Sequence, residues 1–420
     1  MATLPPLPDW LDLEHRVATI LTDQELHGWY FDERSAQQLE STLRRELEEL
    51  TQELQQKHRF VAGTEFTPRR NNKTQGYVEG CTSTRLKEFN TTSRDHIAWI
   101  MQTHYGWVPE QRTDTGKPVI DEVVLKDIGT EIALKFFRCL ELTKQLGMLS
   151  EGKNAWLKLV HKHRLHHHCS VAAATHRCAH RNPNLAQVPA SESFRRLFTA
   201  TPGLVMVGAD LSGIELRMLA HYLARYDGGR YGEILLNGDI HQVNADKIGI
   251  TRKLVKTVTY AFLYGAGDQK IGLSYDQQLS PAEAKKKGAE IRAAYVSAID
   301  GLDRLLAAVK SAGERGHLKS VDGRKIAVDS PHKALNYLLQ SGAGVVAKRW
   351  MVIANDTFFH NNTHQLAFIH DELQCETEPD AAEILKLHLE ETAVAAGEYY
   401  NLRIPIAAEG KCGSTWADVH

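Results

Sequence analysis

Two acids constrain this chain more than any other feature. Asp210 closes the apolar run Leu204-Val-Met-Val-Gly-Ala-Asp210, and Asp371 follows Leu366-Ala-Phe-Ile-His370 and precedes Glu372-Leu373-Gln-Cys375. They stand 161 positions apart, each at the end of a strand-like stretch. A carboxylate just past a buried strand is poorly solvated unless it meets a cation. Two of them brought together would suit a pair of divalent ions about 3.5–4 Å apart, the arrangement used for in-line phosphoryl transfer. Alone, each is more often a helix cap or turn residue.

The segment between them shifts that balance. In Arg252-Lys-Leu-Val-Lys256-Thr-Val-Thr-Tyr260-Ala-Phe-Leu-Tyr264-Gly265, the residues Arg252, Lys256, Tyr260 and Tyr264 recur every four positions. Four residues advance an α-helix by about 400°, so these side chains form one slowly winding stripe. Two cations near the helix start suit a polyphosphate, and two aromatics beyond them suit a base and sugar. Gly265 ends the helix and permits close approach. An amphipathic core helix with a cationic edge is the simpler alternative for this stretch taken by itself.

Taken together, Asp210-Leu-Ser-Gly-Ile-Glu215-Leu-Arg217, the Arg252–Gly265 helix and His370-Asp371-Glu372 resemble the three signature motifs of family A DNA polymerases. Further matches are His180-Arg-Asn182-Pro-Asn184-Leu-Ala-Gln187, Gly238-Asp-Ile-His241, and Asn336 with Gln340. Within the family the chain is most similar to the replicative polymerases of short-tailed bacteriophages. That likeness rests on Ser93-Arg-Asp-His96, Leu263-Tyr-Gly-Ala-Gly-Asp-Gln-Lys-Ile-Gly272, Asp322-Gly-Arg-Lys325 and Glu409-Gly-Lys411. It runs from about Leu11 to His420. One departure is Thr175-His176-Arg177, where members usually carry Thr-Gly-Arg, with a few residues missing just upstream.

The resemblance implies an α+β, right-hand architecture: a palm with an antiparallel sheet, helical fingers and a helical thumb. The divisions expected are thumb 1–150, palm 151–222 and 336–420, and fingers 223–335. It implies primer extension with dNTPs on a DNA template, with two Mg²⁺ ions (Mn²⁺ able to substitute) held by Asp210, Asp371 and the carbonyl of Leu211. Glu372 would support that site from nearby. Lys256 would share the catalytic work with the two aspartates. Arg252, Lys256, His241, Tyr260, Glu215, Tyr264 and Gly265 would hold the incoming nucleotide. Arg177, Asn182, Gln187, Asn336, Gln340, His370, Arg69 and Arg70 would contact DNA.

Two rival activities deserve weighing. Single-subunit RNA polymerases share the two aspartates and the Arg, Lys and Tyr-Gly of the central helix. Glu215 would crowd a ribose 2′ position, however, and Tyr260 stands where they usually carry Met. A catalytically inactive DNA-binding subunit would be expected to lack a metal carboxylate, and both are present.

The remaining sequence narrows the setting. A hydrophobic content of 42% with 24% charged residues is that of an ordinary soluble domain. No apolar run approaches the roughly 20 residues needed to span a bilayer, so no membrane is expected. The first nine residues lack a leader pattern, and six scattered cysteines fit a reducing compartment. The expected location is the cytoplasm, that of the host if the source is viral. Net charge is only −2, yet Lys153 to Arg196 holds eight Lys or Arg against one acid, Glu192. Such a local basic face suits phosphate contacts, although a solvated charged face has the same composition.

Leu39, Leu43, Leu47, Leu50 and Leu54 mark a long helix capped at Asp32, and helical patterns recur from Asp121 to Leu149. His58 to Thr92 reads as a polar loop at the thumb tip touching duplex backbone, with a mobile surface loop as the alternative. It is much shorter than the basic loop with which relatives recruit thioredoxin, so thioredoxin is not expected as a partner. Proofreading is expected from a separately encoded exonuclease. The run His161 to Cys178, rich in His, matches no structural zinc spacing and reads as a polar hairpin beside DNA.

Overall fold

The computed structural model describes residues 7–276, 279–357 and 362–420. Residues 1–6, part of the stretch expected to lack a leader pattern, lie outside the described residues. The chain divides into two units, Met1–Glu33 with Leu159–His420, and Arg34–Lys158.

The larger unit is organised on a four-stranded antiparallel sheet in the order His364–Ile369, Glu372–Thr377, Val205–Leu211, Ala408–Gly413. The apolar run that Asp210 closes thus becomes a central strand, hydrogen-bonded on both sides. In that register Asp210 lies opposite Glu372 on one neighbour and Glu409 on the other. His370 and Asp371 form the two-residue turn between the first two strands, with His370 at a φ of 62°. Positive φ in a residue other than glycine is uncommon and marks a turn held by its surroundings.

One face of the sheet is covered by the helix Ala382–Tyr399, which packs on Val205–Leu211 and Ala408–Gly413. Behind it lies the helix Ala334–Asp356, apolar almost all round and buried along most of its length. Trp350 is fully buried there and donates its indole N–H to the Leu389 carbonyl at 2.9 Å. The helix Asp9–His27 packs against Ala334–Asp356 and the outer strand His364–Ile369. Its Glu14 meets two cations, Arg324 and Lys348, the latter wholly buried with its Nζ 2.7 Å from Oε2. Residues 214–314 are helical apart from short connections, and the helices Asp268–Tyr275 and Pro281–Ala298 cross at closest range. A Cβ on Gly288 would stand 1.7 Å from the Asp268 carbonyl oxygen, so only glycine fits that crossing.

The smaller unit has its own core. The long helix spans Glu33–Lys57, starting directly after Asp32 as the Leu repeat indicates, and buries Leu43 and Leu54. Helices Arg94–Tyr105, Glu122–Ile128 and Glu131–Leu146 complete it, each begun by a side-chain cap from Ser93, Asp121 or Thr130. The stretch expected to be a loop differs: Phe60–Phe66 and Ser83–Glu88 pair as an antiparallel hairpin. Its composition concealed this because, within the two strands, only Val61 is buried, leaving no regular apolar face to read. Among the described residues no helix is long and apolar enough to cross a membrane.

A buried Lys⁺ stripped of its partner is costly. Glu14→Leu should therefore lower unfolding free energy by about 3–5 kcal/mol, and adding Lys348→Met should recover much of the loss. Denaturant melts of the two variants check this.

Candidate active site

Strand pairing brings the two diagnostic acids together. The Leu211 amide donates to the Asp371 carbonyl at 3.0 Å, so Asp371 sits beside the end of the Asp210 strand. Burial, then the charges of Asp210 and Glu215, raises the Asp371 carboxyl to about 7, while Arg177 acts in the opposite direction. Partial desolvation, then Glu372, Glu215 and Glu409, raises the Asp210 carboxyl to about 6. Asp210 keeps one face open to solvent, so Asp371 is the more strongly desolvated of the two.

Glu372, opposite Asp210 in the ladder, has its carboxylate engaged by other partners. Its Oε1 accepts from Trp416 Nε1 and Gln374 Nε2, both at 2.5 Å, and its Oε2 lies 3.2 Å from His420 Nδ1. With 5% exposure it is a buried, saturated acceptor. Glu409, by contrast, is exposed beside Asp210. Sequence reasoning gave Glu409 no role in the site; only its ladder position reveals it.

The helix Arg252–Leu263 forms as the four-residue stripe indicates, capped by Thr251 and followed by Gly265 at a φ of 71°. Arg252 and Lys256 are exposed on its first turns. Arg252 Nε is bound 2.6 Å from Asp239 Oδ2, a partner absent from the sequence reading although it lies within Gly238-Asp-Ile-His241. Asp239 also caps the helix Ile240–Ile248, which carries His241. His241 is buried, its Nδ1 has no hydrogen-bond partner, and burial lowers its pKa. The Tyr260 and Tyr264 rings stack with centroids 6.5 Å apart and planes 20° from parallel.

Glu215 connects this helix to the sheet. Its Oε1 accepts from Arg177 Nη2 at 2.6 Å and from the Tyr264 hydroxyl at 3.2 Å. Asn336 donates to the Leu263 carbonyl at 2.8 Å, tying the helix end to Ala334–Asp356, and Gln340 lies one turn further along, half-buried. Asn182 and Gln187 are exposed, and the half-buried His370 keeps a buried Nδ1 without a partner. Arg69 and Arg70 are exposed in the smaller unit.

The histidine-rich run forms the expected hairpin, His168–Ser170 paired with Ala179–Arg181. Its histidines are separately engaged: His167 donates to the Leu366 carbonyl at 2.9 Å, His168 binds the Glu25 carboxylate at 2.8 Å, and His176 binds Ser341 at 2.7 Å. Among the described residues no group of three or more His, Cys, Asp or Glu converges on a metal position.

The comparisons with known proteins agree with this geometry. The family model for DNA polymerase family A matches residues 62–418. The chain belongs to family A. It is 32% identical to the DNA-directed DNA polymerase of Escherichia phage T7, over 98% of this chain and 70% of the relative. The corresponding enzyme of Enterobacteria phage T3 gives the same identity and coverage. The polymerase domain of Pol1 from M. smegmatis, solved with DNA primer-template and dNTP, superposes with a TM-score of 0.76. That match covers 97% of this chain and 70% of the other at 21% identity, and it establishes the family A fold.

Two raised, adjacent carboxylates oppose folding when ionised. For Asp371 the penalty is full above about pH 7 and fades as pH falls toward the ordinary carboxylate range. In EDTA at pH 8, Asp371→Asn should therefore melt a few degrees above the parent, and the gap should shrink at pH 5. Calorimetry at both pH values checks the sign.

Proposed function

We propose that this chain extends a primer on a DNA template, joining each dNMP to the 3′-hydroxyl and releasing pyrophosphate, as a DNA-directed DNA polymerase. The observation that carries the reading is the strand ladder that sets Asp371 beside Asp210, with Glu215 linking that pair to the Arg252–Leu263 helix. Its architecture is read as a hand with thumb 1–150, palm 151–222 and 336–420, and fingers 223–335.

The donor set suits Mg²⁺. Desolvation and neighbouring carboxylates leave Asp210 and Asp371 in need of positive charge, and Arg177, the cation nearby, is already bound to Glu215. Mg²⁺ is commonly held by one or two carboxylates plus substrate phosphates rather than by a complete protein cage. Asp210, Asp371 and the Leu211 carbonyl are the protein ligands proposed. When bound, a pair of such ions supplies acidification of the primer hydroxyl and charge neutralisation on the pyrophosphate. Glu372, saturated by Trp416 and Gln374, holds the turn and the ladder rather than a metal.

The other side chains bind and orient. Arg252 and Lys256 neutralise the triphosphate from the first turns of their helix, and Asp239 pre-sets Arg252. His241 offers its ring as a third phosphate contact. The Tyr260–Tyr264 pair supplies a stacking surface for base and sugar, and Gly265 admits close approach. Glu215, immobilised by Arg177 and Tyr264, occupies the position that a 2′-hydroxyl would need. Arg177, Gln340, His370, Asn336, Asn182 and Gln187 track primer and template, with Arg69 and Arg70 on the backbone of the duplex. The stretch His58 to Thr92 that bears Arg69 and Arg70 is short and holds few cations, which supports a modest rather than an encircling grip on DNA. Thioredoxin is accordingly not proposed as a clamp. The setting proposed is the cytoplasm of a phage-infected cell.

Asp210→Asn and Asp371→Asn should each abolish extension of a labelled primer with dNTPs while sparing DNA affinity, which comes mainly from basic contacts. Primer extension and a gel-shift titration measure the two quantities. Retention of more than a small fraction of the parental rate by either variant would sink the metal-site assignment.

A further inference from the structure

We infer that His176 is a positioning residue for sugar selection, holding Arg177 and, through it, Glu215 in the conformation that guards the 2′ position. The inference rests on the reading of the chain as a DNA polymerase whose Glu215 excludes ribonucleotides.

His176 adopts the left-handed backbone conformation that favours glycine, with a φ of 60°. Glycine enters that region without steric cost, whereas a residue with a Cβ persists there only when its surroundings hold it. Three ties hold this one. The His176 amide donates to the Ala173 carbonyl at 2.9 Å. Its Nδ1 lies 2.7 Å from Ser341 Oγ, and Ser341 in turn donates to Ser320 Oγ at 2.8 Å. Ser341 is 0% exposed and Ser320 6%, so the chain of hydrogen bonds is closed to water. Burial, then Arg324 and Lys348, lowers the His176 pKa and favours the neutral ring. With the Ser341 hydroxyl proton directed at Ser320, the ring is the donor and Ser341 the acceptor.

The third tie is one turn further along the same helix. A Cβ on Gly344 would lie 3.2 Å from the His176 carbonyl oxygen and 3.3 Å from Arg177 Cγ. Residues 176 and 177 therefore rest directly on the helix Ala334–Asp356, with Ser341 fixing the first and the absent side chain of Gly344 admitting both. Arg177 then reaches the sheet side and binds Glu215 Oε1 at 2.6 Å, the oxygen that Tyr264 also holds. Both side chains of this ion pair are shielded, at 17% and 14% exposure. A carboxylate that excludes a hydroxyl by bulk must be held still, and its only guanidinium anchor among the described residues is carried by the residue that follows His176. The side chain at position 176 thus replaces backbone freedom with a fixed point beside the gate.

The test is the ratio of kcat/KM for a dNTP over the matching rNTP at one template position, with Mg²⁺, in the full-length protein. His176→Gly keeps the backbone conformation and removes only the tie; Ser341→Ala removes it from the other end. Each should lower the ratio roughly three- to tenfold, the span of a single lost hydrogen bond. The change should come from easier rNTP use, with dNTP turnover little altered. The double variant should fall no further than either single one, as expected for two ends of one interaction. His176→Asn, which tolerates the same φ and keeps a polar side chain, should hold the ratio nearer the parent. Glu215→Ala is the control for the underlying reading and should collapse the ratio. If Glu215→Ala collapses it while His176→Gly and Ser341→Ala keep the parental value, the inference is overturned and the polymerase reading stands. Equal losses for dNTP and rNTP in those two variants would likewise overturn it, showing a structural role only. An unchanged ratio in Glu215→Ala overturns the reading of Glu215 and the inference with it.

Discussion

The structure depends on the repulsion between two carboxylates that the sheet forces together. Asp371 is half-buried in a two-residue turn and Asp210 ends the strand beside it; burial and the charge of Asp210 raise the proton affinity of Asp371, while partial desolvation and Glu372 raise that of Asp210. Sheet register makes this arrangement hard to escape, because a one-residue slip would send every apolar side chain of Val205–Leu211 to the wrong face. The surroundings amplify the strain rather than relieve it. Glu409 adds charge beside Asp210, and Arg177 is bound to Glu215. A site built this way is stable only to the extent that the rest of the domain carries it, and it is completed by positive charge from outside the protein. Metal ions and the cation-bearing helix beside a triphosphate fit that need.

What carries it is the helix Ala334–Asp356. It is buried along most of its length, and its few polar or small positions each reach a different part of the site. Asn336 fastens the end of the helix Arg252–Leu263, Ser341 fastens His176, Gly344 admits Arg177, and Lys348 anchors the N-terminal helix through Glu14. Packing and positioning are thus concentrated in one element, so Glu215, the two aspartates and the Arg252–Leu263 helix share a common reference frame.

Much of this was legible in the sequence where the signal is local. The strands before Asp210 and Asp371 are short apolar runs, the Arg252–Leu263 helix has a four-residue stripe and a terminal glycine, and the Leu39–Leu54 repeat marks its long helix. Family resemblance supplied roles for these residues that periodicity alone left open. What stayed hidden depends on distant pairing. Glu409 faces Asp210 only through strand order, Asp239 meets Arg252 across two helices, and Trp416 claims Glu372 from 44 positions away. The grouping of Asp9–His27 with the sheet unit leaves no local trace either, since Glu14 reads as one more acid on an amphipathic helix. The Phe60–Glu88 hairpin was read as a loop because a mostly exposed two-stranded ribbon has no buried face to impose alternation.

The most direct measurement of the central claim is the number of divalent ions that the acid pair holds. Mn²⁺ bound per chain can be counted by electron paramagnetic resonance with a primer lacking its 3′-hydroxyl, a template and the next dNTP. The account predicts two ions in the parent, with tight binding lost in both Asp210→Asn and Asp371→Asn although DNA is still bound. Two ions retained by either variant would show that these carboxylates do not hold the metals, and would contradict the account.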